Sequence, residues 1–194
     1  MVTFLDHLKS GIWYVLNVQQ HLLILFLVLV TIPYVFKEWK KISIILGLLI
    51  ISQLLAVILG YYKIITIHFA QIKILMQISI VFLGMYNLNV HTVKSIRNEK
   101  PGILYTLIVL FGLVFGLVVI PESFYVNQPV NFTLFSLLQY TLGIMTAEIG
   151  VILFTLIMTA AVLHFFKITK RDWVLATAFL FIGMVLPLLI KIIM

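Results

Sequence analysis

The chain contains no cysteine and few charged residues. The absence of cysteine excludes disulfides, thiolate metal ligands and cysteine nucleophiles. Charged residues make up 10% of the 194 residues and hydrophobic residues 63%, whereas a soluble domain has about 25% charged and about 45–50% apolar residues. A water-soluble globule of this size could not bury so much apolar surface. The composition therefore indicates an integral membrane protein and excludes a soluble enzyme, a disordered chain and a nucleic-acid-binding domain, so no nucleic acid is expected as a partner.

Long apolar runs predict an all-α polytopic fold with six membrane-spanning helices. About 20 apolar residues cross a hydrocarbon core roughly 30 Å thick. The fifth run, 131–166, has 36 residues and would form a helix of about 54 Å. We predict that Gly143 ends a short interfacial or re-entrant helix, 131–142, before the true crossing; one tilted helix is the alternative. The predicted spans, in one transmembrane domain covering 1–194, are 12–36, 42–62, 69–90, 102–120, 144–166 and 173–193.

Basic residues are concentrated in alternate loops between these spans. The first, third and fifth loops each carry three Lys or Arg residues, and the remaining four basic residues lie elsewhere. Because cytoplasmic loops carry the excess of Lys and Arg, this split of nine against four predicts that the odd-numbered loops are cytoplasmic. Both termini are then expected outside.

Glu148 is the only acidic residue deep inside a predicted span. A charged side chain at the bilayer centre costs roughly 2.5–3.5 kcal/mol on insertion scales, so such a residue normally faces the bundle interior. Three roles are open for it: a proton relay or substrate ligand, a protonated acid bonded to a neighbouring helix, or the wall of a wet pocket. Depth suggests Gln53, Gln139 and Tyr140 as partners in a polar core, although such side chains commonly just bond helices together.

Small residues recur at helical spacing in two spans. Gly112 and Gly116 form a GxxxG motif, and Gly143 with Ala147 forms a small-xxx-small pair. Such pairs let helix backbones approach closely. They predict helix packing, either within the chain or between copies of it.

The sequence offers no local metal or catalytic constellation. The five histidines form no pair at i, i+3 or i, i+4, so no helical ligand pair is predicted. No phosphate loop, paired carboxylates or Ser/His/Asp arrangement occurs. We therefore expect neither an enzyme nor a cofactor, and no metal ligand is assigned.

Three segments, in this order along the chain, resemble the HupE/UreJ family, bacterial hydrogenase and urease accessory membrane proteins thought to move nickel or cobalt. They are 33–41 (PYVFKEWKK), 111–117 (FGLVFGL) and 142–148 (LGIMTAE); 170–174 (KRDWV), followed by Gly183 and Pro187, is similar to the family's last span. The resemblance implies a bundle around a polar seam that includes Glu148. It also implies a bacterial inner membrane, with the lipid bilayer and either a membrane protein or a second copy of the chain as partners.

The positions that the resemblance assigns to metal ligands mostly carry residues that cannot bind nickel or cobalt. We therefore predict an inherited fold without its metal site, acting as a binding or assembly subunit or as a carrier of a non-metal solute. The alternative is a transporter of nickel, cobalt or another small solute, in which Glu148 acts with the neutral ligands Gln53 and Asn17. The substituted positions are Trp13, Tyr14, Asn17, Leu22, Leu23, Gln53, Phe115 and Met145.

Overall fold

The computed structural model describes residues 4–16, 21–65, 69–92, 101–126 and 133–193. Within these ranges the chain is helical and contains no strand, so the predicted all-α membrane fold is confirmed. A short 3-10 turn, Phe36–Glu38, precedes the third helix. The α-helices are α1 (Phe4–Leu16), α2 (His21–Thr31), α3 (Trp39–Tyr61), α4 (Phe69–Thr92), α5 (Pro101–Val126), α6 (Leu134–Phe165) and α7 (Lys170–Ile193).

Five of these helices, α3 to α7, are long and apolar enough to cross a membrane. Each overlaps one of the last five predicted spans. A helix satisfies all its backbone hydrogen bonds internally, which is why a long apolar run in hydrocarbon becomes a helix rather than an irregular segment.

The first predicted span, 12–36, includes parts of two described helices, α1 and α2, and residues 17–20 between them lie outside the described part of the chain. α1 and α2 have 13 and 11 residues, about 20 and 16 Å at 1.5 Å per residue, so each is shorter than the hydrocarbon core. α2 ends at Thr31, two residues before Pro33, which lacks the N–H that would continue the helix. The helix therefore ends before the predicted boundary at residue 36, and the crossing over 12–36 stays a prediction.

The fifth run forms one unbroken helix. α6 extends over 32 residues from Leu134 to Phe165, about 48 Å, so the separate short helix predicted before Gly143 is wrong and the single-helix alternative holds. A break would expose backbone groups to hydrocarbon, whereas glycine inside a helix costs only about 1 kcal/mol. Residues 131 and 132 lie outside the described part of the chain. The helix starts after Thr133, whose hydroxyl accepts a hydrogen bond from the Ser136 N–H at 3.3 Å.

The bundle is built from three closely packed helix pairs: α3 with α5, α1 with α6, and α4 with α7. α2 packs against both α4 and α6. At the centre, Phe26 of α2 stacks on Phe111 of α5 with ring centroids 3.5 Å apart. This arrangement brings the middle of α3 against the middle of α6, where the candidate site lies.

Candidate functional site

A hydrogen bond between two buried polar side chains links α3 to α6. Gln53 Nε2 donates to Glu148 Oε1 at 2.5 Å. The exposed fractions of the two residues are 1% and 0%, and both lie in the middle part of long helices. The carboxyl group is therefore enclosed by helices and kept away from lipid. Of the three partners suggested by depth, Gln53 is the one that bonds to Glu148.

The pair leaves two buried oxygen atoms without a hydrogen-bond partner, Glu148 Oε2 and Gln53 Oε1. An unsatisfied buried polar atom costs about 1–3 kcal/mol. An amide carbonyl and an ionised carboxylate can only accept hydrogen bonds, whereas a protonated carboxyl also donates one. The site is therefore suited to a species that supplies hydrogen-bond donors or a proton.

Among the residues that the structure describes, the surroundings of Glu148 do not supply the ligands of a selective nickel or cobalt site. The described ion pairs join Glu38 to Lys41 and Lys170, and neither includes Glu148. In the part of the chain that the structure describes, no three His, Cys, Asp or Glu side chains come together as a metal-binding group. Nickel and cobalt are held by several imidazole, carboxylate or thiolate ligands supported by further hydrogen bonds. One carboxyl bonded to one amide falls short of that set.

Aromatic rings occupy two positions that the family resemblance assigns to ligands. Tyr14 of α1 packs against Tyr140 of α6, with ring centroids 5.9 Å apart, and against Phe115 of α5 at 6.4 Å. Phe115 is fully buried. These contacts join α1, α5 and α6 through apolar ring surface instead of through polar ligands.

The GxxxG motif of α5 lies against α3 within the same chain. A Cβ added to Gly116 would lie 2.5 Å from the Gln53 backbone oxygen and 2.7 Å from the Ala56 Cβ. A Cβ added to Gly112 would overlap the Ser52 hydroxyl. The two glycines thus permit the close approach that positions the turn of α3 carrying Gln53.

Gly143 marks the crossing of α6 by α1. A Cβ on Gly143 would overlap the Leu8 backbone oxygen, and a Cβ on Gly11 would overlap the Tyr140 backbone oxygen. Sequence reasoning identified Gly143 and missed Gly11, because a glycine in a short helix gives no sign of the helix that it faces. Ala147, four residues after Gly143, is mostly buried beside Glu148.

The other candidate polar residues do not gather at Glu148. Gln139 and Tyr140 are buried in α6, but they precede Glu148 by nine and eight residues, about 12–14 Å along the helix axis. Asn17 lies outside the described residues. A second polar cluster that sequence reasoning did not identify joins Glu38 to Lys41 and Lys170 at the far end of the bundle. The sequence feature that could have indicated this cluster is Glu38, an acidic residue among the lysines of the first loop.

Comparison with known proteins identifies the family. A family model described as HupE / UreJ protein matches residues 1–190. No curated protein and no solved structure matches the chain. The match covers nearly the whole sequence, including every segment that carries the resemblance and both members of the Gln53–Glu148 pair. The chain belongs to the HupE/UreJ family.

Proposed function

We propose that this HupE/UreJ-family protein is a membrane carrier that couples movement of a small non-metal solute to a proton held at Glu148, and that it has lost nickel and cobalt handling. Its role is not enzymatic. The observation that carries the proposal is the hydrogen bond from Gln53 to Glu148, in which a neutral amide is the partner of a buried carboxyl.

The depth of Glu148 supports a role in transport. An ionisable residue inside a membrane is costly, and such residues mark ion, proton or substrate pathways. The Glu148 carboxyl has no ion-pair partner in the described part of the chain. Gain of a proton would make its free oxygen a hydrogen-bond donor, and loss of the proton would return that oxygen to an acceptor. The same event would alter the bond that holds α3 to α6, and so could link protonation to helix movement.

The chemistry of the ligands supports a non-metal solute. A family of membrane accessory and nickel- or cobalt-related transport proteins would be expected to present several imidazole or carboxylate groups. The described partner of Glu148 is instead the Gln53 amide, and aromatic rings, those of Tyr14 and Phe115, stand at two positions that the family resemblance assigns to ligands. We infer that the site around Gln53 and Glu148 favours a neutral or hydrogen-bonding solute.

Two alternatives have an observation in their favour. Nickel or cobalt transport is favoured by the unpartnered oxygen atoms of Glu148 and Gln53, which are chemically able to coordinate a cation. A role as a binding or assembly subunit is favoured by an apolar groove of about 620 Å³ lined by residues of α1, α2, α6 and α7, including Ala147 beside Glu148. A partner helix would fit such a surface.

Proton and metal fluxes in proteoliposomes separate the three functions. A trapped pH-sensitive dye would report proton flux on addition of sugars, amino acids, monocarboxylates, quaternary amines, nickel or cobalt, and radioactive nickel would report metal uptake. We expect one organic class to drive proton flux that Glu148→Gln abolishes. Asp172→Asn, the same chemical change at an exposed carboxyl, should retain it.

The other outcomes favour the alternatives. Nickel- or cobalt-driven flux that Glu148→Gln abolishes would establish the metal transporter. The absence of flux with every compound, from a protein that is folded and inserted, would contradict the carrier and favour the assembly subunit.

A further inference from the structure

A cavity of about 260 Å³ lies at the end of the bundle predicted to be cytoplasmic. It forms where α2 and α4 end and where α3, α5 and α7 begin. We call it the basic cavity; its polar lining includes Tyr34, Glu38, Lys41, Tyr86, Tyr105 and Lys170. These residues are far along the helices from Gln53 and Glu148, so the basic cavity is separate from the mid-membrane site.

One carboxylate holds two ammonium groups beside this cavity. Lys41 Nζ lies 3.1 Å from Glu38 Oε1, and Lys170 Nζ lies 3.2 Å from Glu38 Oε2. Among the described residues that line the cavity, two positive charges and one negative charge leave an excess of one positive charge. Because an ammonium carries three N–H donors, the bond to Glu38 does not exhaust the hydrogen-bonding capacity of Lys170. The basic cavity therefore favours an anion with several acceptor atoms.

The wall of the cavity is fixed by further contacts. Glu38 Oε2 also accepts the Val35 backbone N–H at 3.4 Å, which ties the carboxylate to the turn before α3. Lys41 Nζ lies 5.9 Å from the centre of the Tyr34 ring, within cation–π range. Asn87 is 2% exposed and donates to the Leu29 carbonyl at 2.8 Å. The two lysines, whose side chains are 49% and 38% exposed, are thus each attached to the wall of the cavity through Glu38.

We propose that the basic cavity binds a phosphate group through Lys170 and Lys41, with the Tyr105 hydroxyl as a further donor. Phosphate oxygens accept charge-assisted hydrogen bonds from lysine. The volume admits a small headgroup and is below the size typical of sites for drug-sized ligands. Two sources have this chemistry: an anionic phospholipid of the cytoplasmic leaflet, where such lipids attract basic residues, and a free phosphate in the cytosol.

Two probes distinguish the sources. Calorimetric titration with inorganic phosphate is performed on the full chain in nanodiscs of phosphatidylcholine. Native mass spectrometry counts the phosphatidylglycerol molecules retained by the protein from mixed micelles, against phosphatidylcholine as reference. Retention of phosphatidylglycerol without phosphate binding identifies a lipid, and phosphate binding in nanodiscs identifies a free phosphate. Either result supports an anion site.

Variants test whether the site is the cavity. Lys170→Gln should weaken binding of whichever probe binds to the wild-type protein about tenfold, as expected for loss of one charge-assisted hydrogen bond. Lys167→Gln removes the same charge from an exposed residue at the same end of the bundle, outside the cavity lining, and should leave binding unchanged. Tyr105→Phe keeps the Glu38 bridges intact and should weaken binding severalfold, so the test does not depend on the folding of Lys170→Gln.

The proposal is overturned if neither probe binds to the wild-type protein. It is also overturned if Lys167→Gln weakens binding as much as Lys170→Gln, because the interaction would then be with the general positive surface. Unchanged binding in both Lys170→Gln and Tyr105→Phe would also overturn the proposal.

Discussion

Gln53 donates a hydrogen bond to Glu148 at 2.5 Å, and the backbone oxygen of the same glutamine lies against Gly116 of α5. Three helices thus meet at one residue of α3. A change at the glycine contact is expected to reach the carboxyl through the position of Gln53, although Gly116 itself has no polar side chain.

Replacing Gln53 by leucine should destabilise the bundle. The Gln53→Leu variant removes the hydrogen bond that Gln53 donates to Glu148, and the free energy of unfolding is expected to fall by about 1–3 kcal/mol. Thermal unfolding of the purified protein in detergent measures it. Glu148→Gln retains hydrogen-bonding groups and should fold normally. In the double variant Gln53→Leu, Glu148→Leu no buried carboxyl remains, so part of the stability should return; equal stability of wild type and Gln53→Leu would show that the bond is unimportant.

A methyl group at Gly116 should separate α5 from α3. In Gly116→Ala the added Cβ lies 2.5 Å from the Gln53 oxygen, and overpacking of this kind costs about 1–3 kcal/mol. Gly47→Ala on α3 is the control, because a Cβ at Gly47 meets nothing within 4 Å. Denaturant unfolding should show a lower free energy of unfolding for Gly116→Ala than for the wild type, and an unchanged value for Gly47→Ala. A Gly116→Ala variant as stable as the control would contradict the close approach of the helices.

The close packing of α1 on α6 should be equally sensitive to an added methyl group. Gly11→Ala places a Cβ into the Tyr140 backbone oxygen, which cannot move aside as a flexible side chain can, so α1 should detach from α6. Limited proteolysis within α1 would report the detachment. Gly150→Ala, on α6 with open space around it, should keep the wild-type cleavage pattern. Identical patterns for both variants would argue against this crossing.

The orientation in the membrane follows from the basic loops and can be tested with single cysteines, since the chain has none. A cysteine at Asn98, in the predicted third loop, should remain unlabelled when an impermeant thiol reagent is added to intact cells. A cysteine at Lys63, which is exposed beyond the opposite end of α3, should be labelled. The reverse pattern would place the termini in the cytoplasm.

Length and hydrophobicity predicted the long helices because a membrane imposes one simple rule on them. A run of about 20 apolar residues must form a helix to satisfy its backbone, and that rule needs no knowledge of neighbours. It was less exact for the first predicted span, because α2 ends at Thr31, near Pro33 and before the predicted boundary at residue 36.

The roles of single residues depend on tertiary contacts, which the sequence alone does not show. Glycine in a helix can mark a break or a close approach, and only the position of Gly11 across from Gly143 selects the second meaning. Depth placed Gln53, Gln139 and Tyr140 as equal candidates beside Glu148, whereas the α3–α6 contact selects Gln53. The lysines of the basic cavity were assigned only to membrane orientation, since their convergence on Glu38 joins residues 132 positions apart.

The central claim is that the mid-membrane site of Glu148 does not hold nickel or cobalt, and metal analysis of the purified protein tests it most directly. The double variant Glu148→Ala, His21→Ala removes the mid-membrane carboxyl and the imidazole at the start of α2. This variant and the wild-type protein are incubated with each metal, freed of excess and analysed for bound metal per chain. Because a single carboxyl and a single imidazole fall short of a selective ligand set, we predict substoichiometric metal in both proteins, with no difference between them. Stoichiometric nickel or cobalt in the wild type that is lost in the double variant would contradict the account and establish the metal transporter.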